Sequence, residues 1–233
     1  MPSIIEISGA LEPGLWDYNG LDLSGAQLPP VLVDRVASID EHGFDAHAIS
    51  LSTLSGTYTE TGAHLIPGAP TVDQLSLRDL VRPAKLLRLG TLAPRSLIQT
   101  GDLERADPRL QPGDALIIDT GWGARWNSPG YVRDAPAFSA TTVDWFLSQP
   151  FSILALDTPV MECQWCGPPD RGELLRPLYE RGMILVAPVV NLDRIEALSG
   201  TLIAWPLPVK GVASVAGRVG FVADLDWSGA LGS

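Results

Sequence analysis

Short runs of aliphatic and β-branched residues, each closed by Gly, Asp or Pro, recur along the whole chain. They predict strands over residues 4–8, 46–52, 115–120, 152–156, 183–190, 201–207 and 218–223, because such side chains suit a pleated surface and the closing residues break it. Apolar positions at helical spacing predict helices over 77–81, 140–149 and 172–181. Ser139 or Thr141 supplies an N-cap for the second, and Gly182 stops the third. Strand and helix signals interleave throughout, which predicts an α/β fold, a mixed sheet with flanking helices. No repeat or low-complexity linker divides the chain, and the segment from Pro67 to Pro70 reads as a structured loop, so a single domain over residues 1–233 is expected.

Composition narrows the function. An apolar fraction of 45% with 18% charged residues fits a chain with a large buried core and does not fit disorder. The formal charge of −11, with no cluster of Lys and Arg, excludes a nucleic-acid partner. No apolar run is long enough to span a membrane, so no membrane partner is expected. The opening Met1-Pro2-Ser3-Ile4-Ile5-Glu6 lacks the basic-then-apolar order of a secretory signal, which predicts a cytoplasmic location. A glycine-rich phosphate cradle with Lys and a Gly-x-Ser-x-Gly elbow are both absent, which argues against nucleotide chemistry and serine hydrolysis.

Cys163 and Cys166 are the only cysteines, too few for a ribbon-type zinc site. The Gly167-Pro168-Pro169 that follows opposes a redox helix, and two reduced structural thiols are expected. Among seven tryptophans, Trp145 and Trp205 are expected in the core, at helix and strand positions. Trp16, in a loop, and Trp122, just past a strand end, are candidates to line a pocket for a flat or largely hydrocarbon small molecule. Of the three histidines, His42 reads as a turn residue and His47 as the start of a strand.

The third histidine closes Leu54-Ser55-Gly56-Thr57-Tyr58-Thr59-Glu60-Thr61-Gly62-Ala63-His64. This segment resembles His-x-Gly-Thr-His-x-Asp-x-Pro-x-His, the signature of the cyclase family that includes bacterial kynurenine formamidase and isatin hydrolase. Gly56, Thr57 and His64 are identical to it. Similar blocks follow in order, from Ile4 to Gly14, from Ile98 to Glu104, from Gly113 to Trp122, from Ala155 to Pro159, from Asn191 to Asp193 and from Pro206 to Gly211. The resemblance implies a swivelling β/β/α fold, assembled as a homodimer or homotetramer, in which the Trp16 loop approaches a pocket and can come from a neighbouring subunit. It also implies zinc or manganese held by the first two His and the Asp, with a later His and Glu adding ligands, and a final His acting as acid and base.

The departures from that pattern remove the metal ligands. Leu54 replaces the first His, Tyr58 the second and Glu60 the Asp, while the later Glu and His fall at Ala187 and at Leu174 or Leu175. Phenolate binds metal only after losing a proton with a reference pKa near 10. No metal and no other cofactor is therefore expected. Alternate residues of an extended segment share a face, so Tyr58, Glu60 and His64 can project together. They form a proton-transfer set, with Glu60 or His64 as base and Tyr58 as donor to a carbonyl or enolate oxygen; Trp16, Trp122 and Thr57 are the expected substrate-binding residues. The expected activity is that of a metal-independent cyclase, or a related lyase or isomerase, acting on a small oxygenated metabolite of secondary metabolism. An amide or lactone hydrolase with an atypical metal at Tyr58, Glu60 and His64 is one alternative, and a non-catalytic small-molecule-binding protein is another.

Overall fold

The computed structural model describes residues 3–21, 23–170 and 172–223. In chain order its elements are β1 (Ile4–Glu6), then a hairpin of β2 (Leu32–Ala37) and β3 (Ala46–Ser50) joined through the single turn α1 (Ile39–His42), and β4 (Tyr58–Glu60). The turn α2 (Leu77–Leu80) runs into β5 (Val81–Arg88), followed by β6 (Leu97–Ile98), α3 (Thr100–Ala106), β7 (Ala115–Asp119), β8 (Ala137–Phe138) and α4 (Val143–Ser148). The chain continues through β9 (Ile153–Leu156), α5 (Leu175–Glu180), β10 (Ile184–Ala187), β11 (Ser199–Pro206) and β12 (Ser214–Val222). No helix among the described residues is long and apolar enough to cross a membrane.

Eight strands form one mixed sheet in the order β1-β12-β11-β5-β7-β9-β10-β4, and β4 also pairs with β12, so the sheet closes on itself. Closure divides the apolar residues into two cores. Alternate strand residues such as Ile117, Ala155, Val186, Leu202 and Phe221 fill the interior. The intervening Leu116, Ile118, Leu154 and Leu185 point outward under α4 and α5, joined by Leu103 of α3 and by Phe138. Burial on both faces explains why β7, β9 and β10 read as unbroken apolar runs.

The predicted strands all form, and Ser139 does cap the α4 region by accepting from the backbone N–H of Thr141. Besides the two-residue strands β6 and β8 and the single turn α1, three longer elements escape the hydrophobic pattern. β5 carries Arg82, Pro83, Lys85 and Arg88; Pro83 lies ahead of the pairing with β7, which starts at Ala84, so its missing N–H opposes no second neighbour. β2 has almost no buried residue, and α3 is a short helix opened by a capping box at Gln99. Trp205 is 54% exposed, against the expected core position, because its neighbour Ala204 takes the inward face of β11 and no described residue covers the outward one. Cys163 and Cys166 are joined in a disulfide, not reduced: the turn before Gly167 brings their Cα atoms to 5.5 Å, within bridging range.

One close approach sets the packing of β11 on β12. Gly200 faces Phe221, and a Cβ at that position would lie 2.4 Å from the ring and 2.5 Å from the carbonyl oxygen of Val222. Gly200→Ala should therefore destabilise the fold by about 1–3 kcal/mol, the usual cost of overpacking a core. Denaturant unfolding followed by tryptophan fluorescence measures this; a loss below about 0.5 kcal/mol, the ordinary range for an unconstrained surface change, contradicts the packing.

Candidate active site

β4 is three residues long and hydrogen-bonded on both edges, to β10 and to β12. Gly56 leads into it with φ +68°, a left-handed turn that favours glycine, where a Cβ would also lie 2.5 Å from the side chain of Leu11. Thr57 is buried; its Oγ1 accepts from the backbone N–H of Gly9 at 3.0 Å and donates to the carbonyl of Pro188 at 2.5 Å. The retained Gly-Thr pair thus fixes the entry of the strand. Thr57 braces it instead of lining a cavity, because both partners of its hydroxyl are backbone.

The alternation of a strand then decides the rest. Tyr58 and Glu60 share the outer face, opposite Ala187 and Leu185 of β10, while Thr59 turns inward opposite Val186. They meet a cavity of about 240 Å³ closed by the 3₁₀ turn Gly62–His64, the loop after β9, α5 and the leucines Leu21, Leu23 and Leu54. His64 stands at its edge with 35% of its side chain exposed, and its Nδ1 lies 3.5 Å from Glu60 Oε2. The three residues expected together are brought together.

Glu60 is buried, and burial raises its pKa above the ordinary 4.5 against the lowering pull of His64 and of a hydrogen bond from Tyr179. The Tyr179 hydroxyl, delivered by α5, donates to Glu60 Oε1. Oε2 is left buried without a hydrogen-bond partner. Tyr58 makes a 2.9 Å hydrogen bond to the hydroxyl of Tyr18, which in turn donates to the carbonyl of Pro159 at 2.8 Å. A hydroxyl has one hydrogen, so satisfying Pro159 commits the Tyr58 proton to Tyr18 and turns the oxygen of Tyr58 toward the role of acceptor. Burial keeps the Tyr58 phenol far above its usual pKa, hence neutral.

The loop after β9 is held by Asp157. It accepts from Thr120 Oγ1 at 2.7 Å and from the backbone N–H groups of Thr120 and Gly123 at 3.1 and 3.2 Å, and burial lifts its pKa to about 6. That clamp presents Thr158, whose buried Oγ1 has no hydrogen-bond partner, and Glu162, whose Oε1 accepts from the N–H groups of Leu174 and Leu175 at the start of α5. Both line the cavity. The missed residues are therefore Tyr18, Thr158, Glu162 and Tyr179. They come from the opening loop, the loop after β9 and α5, and only Thr158 lay in a motif block.

Trp16 and Trp122 do not line this cavity. Trp122 is fully buried, its Nε1 donating to the carbonyl of Tyr131 at 2.9 Å, so no face is left for a ligand. Trp16 packs against Tyr18, Trp126 and Tyr131, with ring centroids 5.5, 5.3 and 5.2 Å away.

A metal fits poorly here. Leu54, Leu175, Leu185 and Ala187 line the wall without donor atoms, and the neutral Tyr58 already serves Tyr18. Among the described residues, no three His, Cys, Asp or Glu side chains are placed to hold one ion.

Residues 5–162, more than half of the chain, match the family model described as "Putative cyclase". No curated protein shows a significant match. Solved structures share the fold at low identity. Isatin hydrolase A from Ralstonia solanacearum superposes with a TM-score of 0.82 at 17% identity, covering 95% of this chain and 92% of that one. Isatin hydrolase A from Labrenzia aggregata, bound to benzyl benzoate, gives 0.80 at 18%, covering 95% and 93%. A predicted metal-dependent hydrolase from Bacillus stearothermophilus gives 0.74 at 18%, covering 95% and 98%. Family match and shared fold agree: the chain belongs to the cyclase family.

Proposed function

We propose that this chain is a metal-independent cyclase, or a related lyase or isomerase, that acts on a small oxygenated metabolite of secondary metabolism through acid–base chemistry at His64. The observation that carries the reading is the Glu60–His64 pair in a cavity whose former metal wall is hydrocarbon. With the Nδ1 proton directed at Glu60, the neutral ring keeps its Nε2 lone pair for a substrate proton. The imidazolium so formed lies against a carboxylate that Tyr179 holds, and it can return the proton later in the turnover. A contact of 3.5 Å is longer than a made hydrogen bond, as is common before substrate tightens such a pair.

The carbonyl needs a donor. Thr158 has an uncommitted hydroxyl, whereas Tyr58 can donate only if Tyr18 turns its own proton from Pro159 onto Tyr58. The hydrolase alternative with an atypical metal loses support, since its three ligands would be a neutral phenol, one carboxylate and one imidazole. The non-catalytic alternative remains distinct, because it requires binding without turnover. Self-association is also part of the proposal. The β2–β3 hairpin exposes Leu32, Val33, Val36, Ile39, Phe44 and Ile49, and an isolated two-stranded hairpin is marginal in water, so a second copy of the chain covering it supplies what the described residues do not.

Two measurements follow. His64→Ala should lower turnover by roughly 100- to 10,000-fold, and Glu60→Gln by a comparable order, with melting temperatures reporting the fold. The activity needs ionised Glu60, so it should fall as pH drops through a pKa above 4.5. Tyr179→Phe removes a hydroxyl that favours the carboxylate, so that acid limb should move to higher pH. Tyr58→Phe and Thr158→Val then identify the donor, whose loss should depress kcat more than substrate affinity. Folded His64 and Glu60 variants within about threefold of the parent would remove the assignment, and a wild type that binds without turnover would favour the binding protein. Sedimentation at micromolar concentration should show a dimer or larger species, reduced in size by Val36→Asp with Ile49→Asp. A monomeric wild type would contradict the assembly.

A further inference from the structure

The cavity around Glu60 is richer in acceptors than in donors. Glu60 Oε2 is buried without a hydrogen-bond partner, the hydroxyl of Tyr58 points its hydrogen at Tyr18 and leaves its oxygen as an acceptor, and Glu162 adds a second carboxylate. Glu162 is near enough for its charge to raise the pKa of Glu60. Among the described residues no Lys or Arg lines the cavity, and His64 is the one basic group on its wall. Arg176, on the first turn of α5, is engaged elsewhere, with Glu173 at 2.9 Å and with the carbonyl of Leu65 at 2.9 Å. The remaining walls are mostly hydrocarbon, from side chains such as Leu54, Met161 and Leu185, with the hydroxyl of Thr158 and the amide of Gln164 as further polar groups.

A buried carboxylate oxygen whose nearest donor, His64 Nδ1, stands 3.5 Å away is under-satisfied, and a ligand N–H would relieve that cost on its free lone pair. We propose that this cavity selects its ligand by charge, taking a small, largely apolar molecule that carries a protonated amine, and rejecting carboxylates and phosphates. An ammonium set between Glu60 and Glu162 gains from both charges in a partly desolvated space; an anion is repelled by both. The inference rests on the cavity being the active site, and it names the substrate class of that site. It also bears on the reaction, since hydrolysis of an amide or lactone would release a carboxylate against two others, whereas ring closure or dehydration creates no anion.

A matched set of probes isolates the charge: 2-phenylethylamine, 2-phenylethanol and phenylacetate, titrated calorimetrically into the full-length chain at low ionic strength, where screening is weakest. The amine should bind about tenfold or more tightly than phenylacetate, with the alcohol between them. Glu162→Gln keeps the acceptor for the N–H groups of α5 and should shrink that ratio, as should Glu60→Gln. Leu54→Trp, which fills the cavity, should abolish amine binding. The inference is overturned if phenylacetate binds as well as the amine, if the amine does not bind at millimolar concentration, or if Leu54→Trp leaves amine binding intact. Should a carboxamide variant fail to fold, the wild-type ratio still decides. Amine preference alongside an unimpaired His64→Ala enzyme would keep this inference and remove the acid–base reading; the reverse pattern would do the opposite.

Discussion

The closure of the sheet by β4 is the constraint on which the rest depends. Three residues are held on both edges, by β10 at Leu185 and Ala187 and by β12 at Ser214 and Ala216. A strand so held cannot slip without moving every side chain to the opposite face. The alternation therefore sends Thr59 into the apolar interior and obliges Tyr58 and Glu60 to stand outside it, over the same patch of the sheet. The cavity is built around those two side chains, and Thr57 and Gly56 serve to bring the chain into the strand at the required angle.

Placing a carboxylate there carries an energetic cost, and the surroundings of Glu60 show how it is met. Tyr179 donates to one oxygen, and His64 lies opposite the other without closing a hydrogen bond. The second oxygen and the hydroxyl of Thr158 remain buried and unpartnered on the cavity wall. Natural folds leave few such atoms; of the five among the described residues, these two share one cavity, where a ligand could complete them. The leucines and alanine around them exclude water, which strengthens every charge interaction in the space.

Much of the fold was legible from the sequence because the central strands are buried on both faces, so their composition signals strand whatever the register. The longer strands that escaped are those whose neighbours, not their own residues, make them strands: β5, with Pro83 and three cationic residues, and β2, whose apolar side chains face solvent. In the site, Tyr58, Glu60 and His64 were legible because their spacing of two and four residues carries them through one extended strand and one turn. Tyr179, Glu162 and Tyr18 were not, since they reach the cavity from distant segments and only the folded chain sets them beside Glu60. Trp16 and Trp122 show the converse. Their motif positions suggested a lining, but an indole donor bound to Tyr131 and a nest of aromatic rings bury them in a neighbouring cluster.

The claim on which the functional account turns is that acid–base groups alone, without a bound metal, carry the reaction. Exhaustive dialysis of the purified chain against a chelator, with elemental analysis and turnover measured on the same samples, tests it most directly. The account predicts full activity in protein that carries far less than one zinc or manganese per chain. One tightly held metal per chain, lost together with activity and restored with it, would contradict the account.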